Sequence, residues 1–183
     1  MEDIIKVGIA RYKDKYFSGR IVDGPFVLYE KYSRRDVSLL MNCGKDLSSI
    51  MYGMKRIEND VFIFITYHKE ESQDEKNYVE GKPDYADAFE DDLIFKWDSQ
   101  IGKGLDSSYM KDVLGADRKH LFVKKSDAET SFYYMGQFDV LEARNAQKED
   151  NRGRMQPITK VTMKMHRAVR EDLLRYLQSH FTA

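Results

Sequence analysis

The feature that most limits how this chain can fold is the run Val61-Phe62-Ile63-Phe64-Ile65-Thr66-Tyr67-His68. β-Branched and aromatic side chains lose rotamer freedom against a helical turn and pack well on a pleated surface, so the run reads as a strand. Its apolar part, residues 61–65, is far shorter than the about 20 residues a helix needs to cross a bilayer. Further strands are expected at residues 52–57, 93–98, 120–125, 132–143 and 158–165, with Gly136 marking a bulge. Ser33 and Asp36 form a capping box that opens a helix with Val37, Leu40 and Met41 on one face, closed by Asn42-Cys43-Gly44. Asp106-Ser107 caps a short helix that ends near Gly115, and residues 170–181 form an amphipathic helix with Leu173, Leu174 and Leu177 on one side. Asp23-Gly24-Pro25 signals a turn, and residues 69–92 and 145–154 read as polar loops. Regular βα alternation is missing, which argues against a doubly wound parallel sheet. The expected class is α+β, a curved, barrel-like, mostly antiparallel sheet flanked by helices.

A chain of 183 residues, 42% hydrophobic and 33% charged, fits one domain with a real core and a solvated surface. Its net charge of -1 argues against a general nucleic-acid clamp, which needs a positive excess. It leaves room for a local basic patch beside a deep pocket. The single cysteine, Cys43, has no internal partner, and four scattered histidines give no zinc spacing. Met1-Glu2-Asp3 lacks the basic-then-apolar plan of a signal peptide. A reducing, cytoplasmic setting without metal or cofactor is the expectation.

A magnesium nuclease would use Pro83-Asp84 with Asp117-Arg118-Lys119, although solvated loop charges explain the same residues. No phosphate-binding loop and no nucleophile elbow occurs. The aromatic strand ends carry more. Tyr67, Phe95 and Trp97 stand beside Asp98, Ser99 and Gln100, a set able to stack a planar base and read its edge. The same rings can equally fill the sheet core, and Asp98 can equally open a turn. His68, Lys69, Lys96, Lys103, Arg152 and Arg154 are candidates for phosphate contact, and a solvated strand face accounts for such residues as well.

Read in order, Tyr29 with Tyr32-Ser33-Arg34-Arg35-Asp36-Val37, Tyr52-Gly53, Phe64-Ile65-Thr66-Tyr67-His68-Lys69, Phe95-Lys96-Trp97-Asp98-Ser99-Gln100, His120-Leu121-Phe122-Val123-Lys124-Lys125 and Phe132-Tyr133-Tyr134-Met135-Gly136 form a set. From about residue 27 to 178 it resembles the C-terminal domain of bacterial superfamily-two helicase proteins, among them modification-dependent restriction enzymes of the SauUSI type. Asp98 stands where many members carry Gln. The resemblance implies an SRA-like (SRA/PUA-like) fold that recognises 5-methylcytosine or 5-hydroxymethylcytosine in double-stranded DNA by base flipping, with no catalysis of its own. It also implies that residues 1–183 are one recognition domain excised from a larger protein of a phage-defence restriction system, working beside helicase and nuclease domains and away from membranes. The competing readings are a protein-interaction or regulatory domain of such a helicase-nuclease, the small magnesium nuclease above, and a reader of a different DNA mark.

Overall fold

The computed structural model describes residues 5–6, 19–68, 87–150 and 152–179. The chain enters through a small hairpin, β1 (Val22–Asp23) and β2 (Phe26–Val27), turned by Gly24-Pro25. Then come β3 (Lys31–Tyr32) and helix α1 (Arg34–Leu40), where Ser33 and Asp36 form the expected capping box. Val37 packs inward as expected, but Leu40 is exposed, because the helix rests on Ser38 and Val37 instead. A 3₁₀ turn (Ser48–Ile50) leads to β4 (Met54–Ile57) and β5 (Asp60–His68). These are followed by β6 (Ala88–Phe89), β7 (Ile94–Asp98), helix α2 (Ser108–Leu114), β8 (Arg118–Ser126), β9 (Phe132–Glu149), β10 (Met155–Met165) and helix α3 (Glu171–Gln178).

One sheet of eight strands runs β4-β5-β8-β9-β10-β7-β6, with β3 also pairing to β9. Its pairs are antiparallel except β5–β8, which is parallel. The α2 crossover between β5 and β8 makes that direction possible, since parallel neighbours cannot be joined by a tight turn. The sheet is curved but open, with β4 and β6 at its edges. Strand β9 is 18 residues long and absorbs the first half of the segment expected to be a polar loop at 145–154. Its outer half carries no buried residue and is held by antiparallel pairing to β10.

The run starting at Val61 is central and buried on both sides. Val61, Ile63, Ile65 and Tyr67 point into one apolar layer with Phe95, Trp97, Met163 and the buried faces of α2 and α3. Phe62 and Phe64 point into the other, with Phe26, Phe122, Phe132, Tyr134 and Val37. Leu121 pairs with Gly136 and Phe122 with Tyr134, so Met135 is the extra residue of a bulge at the expected glycine. The bulge lets Tyr134 face the second layer while Met135 and Phe138 enter the first.

Candidate base-binding pocket

The aromatic set expected to cage a base is packed in the first apolar layer. Phe95 is fully buried, and Trp97 and Tyr67 are 5% and 7% exposed. The pleat explains their burial. Trp97 and Phe95 lie opposite Val161 and Met163 on β10, and all four enter the same apolar layer. The Tyr67 hydroxyl accepts from the Phe89 backbone N–H at 3.3 Å, and Trp97 stacks on Tyr109. Asp98 holds an ion pair with Lys160, its register partner, at 3.0 Å. Ser99 donates to the Lys103 carbonyl at 2.7 Å and accepts from the Thr159 N–H at 2.8 Å, pinning the turn after β7 to β10. Gln100 is exposed and reaches the Tyr52 carbonyl. These residues build the turn and the core; they do not converge on an opening.

The expected phosphate contacts are scattered. His68 bonds the Leu177 carbonyl at 2.8 Å, fixing α3 to the end of β5. Lys96 lies near Glu90 and Thr162, and Lys103 lies over the Tyr109 ring. Arg152 and Arg154 flank the β9–β10 turn, where Asp150 accepts from both backbones and from the Arg154 guanidinium. The Arg154 N–H bond leads the effects that hold the Asp150 carboxyl at about 2. Lys69 and Asp84 fall outside the described residues. Asp117 caps no metal site, and among the described residues no group of three or more His, Cys, Asp or Glu converges to hold one. A shallow cleft of about 620 Å³ opens between the glycine-rich loop at Gly102 and Gly104 and the β9–β10 hairpin at Asn145 and Pro157.

A more enclosed pocket of about 380 Å³ lies over the β9 bulge. That is the small end of the range for ligand sites, about 300–1,000 Å³. Ile21, Val22 and Leu28 give it apolar walls, Asp23 and Gln137 are its polar groups, and His166 and Arg167 complete its lining. Gly136 belongs to the lining too. Its φ is +99°, and a Cβ there would meet Leu28 Cδ1 at 3.0 Å. Gln137 Nε2 donates to Asp23 Oδ1 and the Tyr134 hydroxyl donates to Oδ2, each at 2.7 Å. Each carboxylate oxygen keeps a second lone pair for a ligand. Arg167 is exposed and forms no ion pair among the described residues. Asp23 was legible only as a turn residue and Gly136 only as a bulge; pairing of residues this far apart in sequence left no local signal.

Beneath the pocket runs a buried polar chain. His120, 3% exposed, lies with Nδ1 2.9 Å from the Tyr134 hydroxyl and Nε2 2.7 Å from Asp60 Oδ1. Arg118 grips Asp60 through two bonds of 2.7 and 2.6 Å. Burial pushes the Tyr134 hydroxyl far up, with Asp23 adding to the effect. Burial also pushes His120 down, outweighing the pull of Asp60. For Asp60, burial acts to raise the carboxyl, yet the bonds from Arg118 and His120 leave it below the ordinary carboxylate range.

The family described as "Domain of unknown function (DUF3427)" matches residues 26–177, most of the chain. The chain belongs to that family. No curated protein matches it. Among solved structures, the DUF3427 chain is similar to Arabidopsis thaliana SUVH6 in complex with SAM, at TM-score 0.48 and 11% identity, over 96% of this chain and 33% of that one. It is similar to KRYPTONITE in complex with mCHG DNA and SAH at TM-score 0.45 and 11% identity, over 92% and 39%. It is also similar to the sulfur-binding and SRA domains of ScoMcrA complexed with phosphorothioated DNA, at TM-score 0.42 and 9% identity, over 83% and 45%. The DUF3427 chain therefore spans less than half the length of each of these proteins.

Proposed function

We propose that this domain is a DNA reader that takes a modified cytosine out of the duplex into the pocket over Gly136. The observation that carries the reading is the pocket's composition: a carboxylate and an amide beside apolar walls, with an exposed guanidinium in the lining that forms no ion pair among the described residues. An extruded cytosine presents an exocyclic amino donor and a ring-nitrogen acceptor. Asp23 accepts the first, and the second N–H of Gln137 donates to the other. Ile21, Val22 and Leu28 offer an apolar wall to a 5-methyl group, while Arg167 faces the backbone phosphates. Thymine would set its carbonyl oxygen against Asp23, so the pocket selects against it. Unstacking costs a few kcal/mol, which the edge contacts and apolar walls must offset. On this reading the domain binds without cutting, and cleavage belongs to nuclease and helicase domains of a longer restriction protein.

A titration at fixed salt with duplexes that differ only in one cytosine methyl group tests the proposal. A single methyl against an apolar wall is worth about 1–3 kcal/mol, so the expected preference is roughly 10- to 200-fold. Asp23→Asn should remove most of that preference. Arg167→Ala should weaken both duplexes alike and reduce the salt slope by about one. Equal affinity of the native domain for the two duplexes would end the reading.

A further inference from the structure

We propose that Tyr134 is a hydrogen-bond switch under the pocket, turning its one hydroxyl hydrogen between Asp23 and His120 and so tying uptake of an amino-bearing base to a deprotonated His120. The inference rests on the pocket reading above and adds a mode of control to it. Three contacts join the chain: Asp23 Oδ2 to Tyr134 at 2.7 Å, Tyr134 to His120 Nδ1 at 2.9 Å, and His120 Nε2 to Asp60 Oδ1 at 2.7 Å. Asp60 already receives two guanidinium N–H groups from Arg118. It therefore serves as an acceptor, and His120 donates to it from Nε2. With both carboxylates ionised, three contacts require three hydrogens. The tyrosine and a neutral imidazole supply two.

The shortfall defines two states. When His120 is protonated, Nδ1–H donates to the Tyr134 oxygen and the tyrosine hydrogen is committed to Asp23. When His120 is neutral, Nδ1 is an acceptor, and Asp23 and His120 compete for the single hydroxyl hydrogen. A ligand N–H that donates to Asp23 Oδ2 resolves the competition. Tyr134 then turns to His120, and no buried acceptor is left without a donor. Protonating His120 removes this option: the ligand N–H must then share Oδ2 with the tyrosine hydrogen, which makes Asp23 a poorer acceptor and weakens binding.

The surroundings of His120 fit a proton that leaves readily. It is stacked on the Phe62 ring and edged by Phe26. Among the described residues, the charged or titratable groups facing it are Asp60 on β5, Arg118 on its own strand, Tyr134 on β9 and Asp23 on β1, while Tyr32 on β3 faces Tyr134. Burial is the largest of these influences and favours the neutral ring.

Histidine-ring ¹⁵N NMR on the whole chain, with and without the methylated duplex, tests the switch together with affinities measured across pH. At about pH 7.5, above the ordinary histidine range, the expected ring is neutral with its hydrogen on Nε2. Affinity should fall on acidification through the His120 transition, by up to about tenfold per pH unit, the limit for one linked proton. Tyr134→Phe, which keeps the ring in its packing, should remove the part of the profile that follows the His120 transition. A domain that binds the duplex but carries its hydrogen on Nδ1, or whose pH profile Tyr134→Phe leaves unchanged, overturns the switch alone. A domain with the expected tautomer that binds no duplex at any pH overturns the pocket reading and the coupling with it.

Discussion

Asp60 is a carboxylate 4% exposed, and it persists out of water because three N–H donors face it. Removing its charge leaves His120 Nε2–H and one side of the Arg118 fork with a poorer acceptor. Arg118 is half exposed and can turn to water, so the loss is that of hydrogen bonds to a charged group and not of a fully buried ion pair. Asp60→Asn should cost about 1.5–3 kcal/mol, read as a lower urea midpoint with an unchanged slope. Gly136 makes a different demand. Its backbone lies at φ +99°, where a side chain is strained, and Leu28 leaves little room for a Cβ. Gly136→Ala should therefore lower stability by about 1–2 kcal/mol, measurable in the same urea titration. An alanine that cost nothing would show that the bulge relaxes and that the pocket floor is not fixed by this residue.

At the scale of elements, what was legible in the sequence is what local chemistry decides. Ser33 and Asp36 announce α1, Ser107 and Gly115 bracket α2, and Gly136 marks the bulge in β9, because caps and left-handed backbone depend on neighbouring residues only. The parallel pairing of β5 with β8 and the length of β9 were not legible, because both depend on partners far along the chain. The outer half of β9 reads as polar loop since neither of its faces is buried; it is a strand because β10 supplies its hydrogen bonds. The same cause hid the burial of the aromatic set. Tyr67, Phe95 and Trp97 are aromatic residues at strand ends, and only the pairing of β5 with β8 and of β7 with β10 shows that they face inward. Ser99 illustrates the consequence. It closes the turn after β7 by bonding Lys103 and Thr159, so Ser99→Ala strands the buried Thr159 N–H. The expected cost is about 1–3 kcal/mol, with methyl discrimination intact in the folded protein. Loss of discrimination at unchanged stability would instead return Ser99 to the binding site.

Over the whole molecule, the buried chain Asp23–Tyr134–His120–Asp60–Arg118 ties the entry hairpin to the centre of the sheet, so its protonation belongs to global stability. Burial leaves the folded His120 with a pKa below its unfolded value. Between the two values the unfolded chain binds the extra proton, and stability rises with pH across that window. The contribution is complete above about pH 6.5, the unfolded histidine value, and is lost as pH falls below it. Asp60 acts at a lower pH with the same sign. Its folded pKa is depressed, so its contribution is present above the unfolded carboxylate value of about 3.9 and is lost as pH falls further. Unfolding free energy measured from neutral to strongly acid pH should thus fall in two stages. His120→Gln should remove the upper stage and keep the lower, since Asp60 retains Arg118. A variant that loses stability between pH 6.5 and 5 as steeply as the native protein would show that the upper stage belongs to another group. With a net charge of only -1 near neutrality, general charge repulsion is too weak to produce that stage, which leaves a buried group as its source.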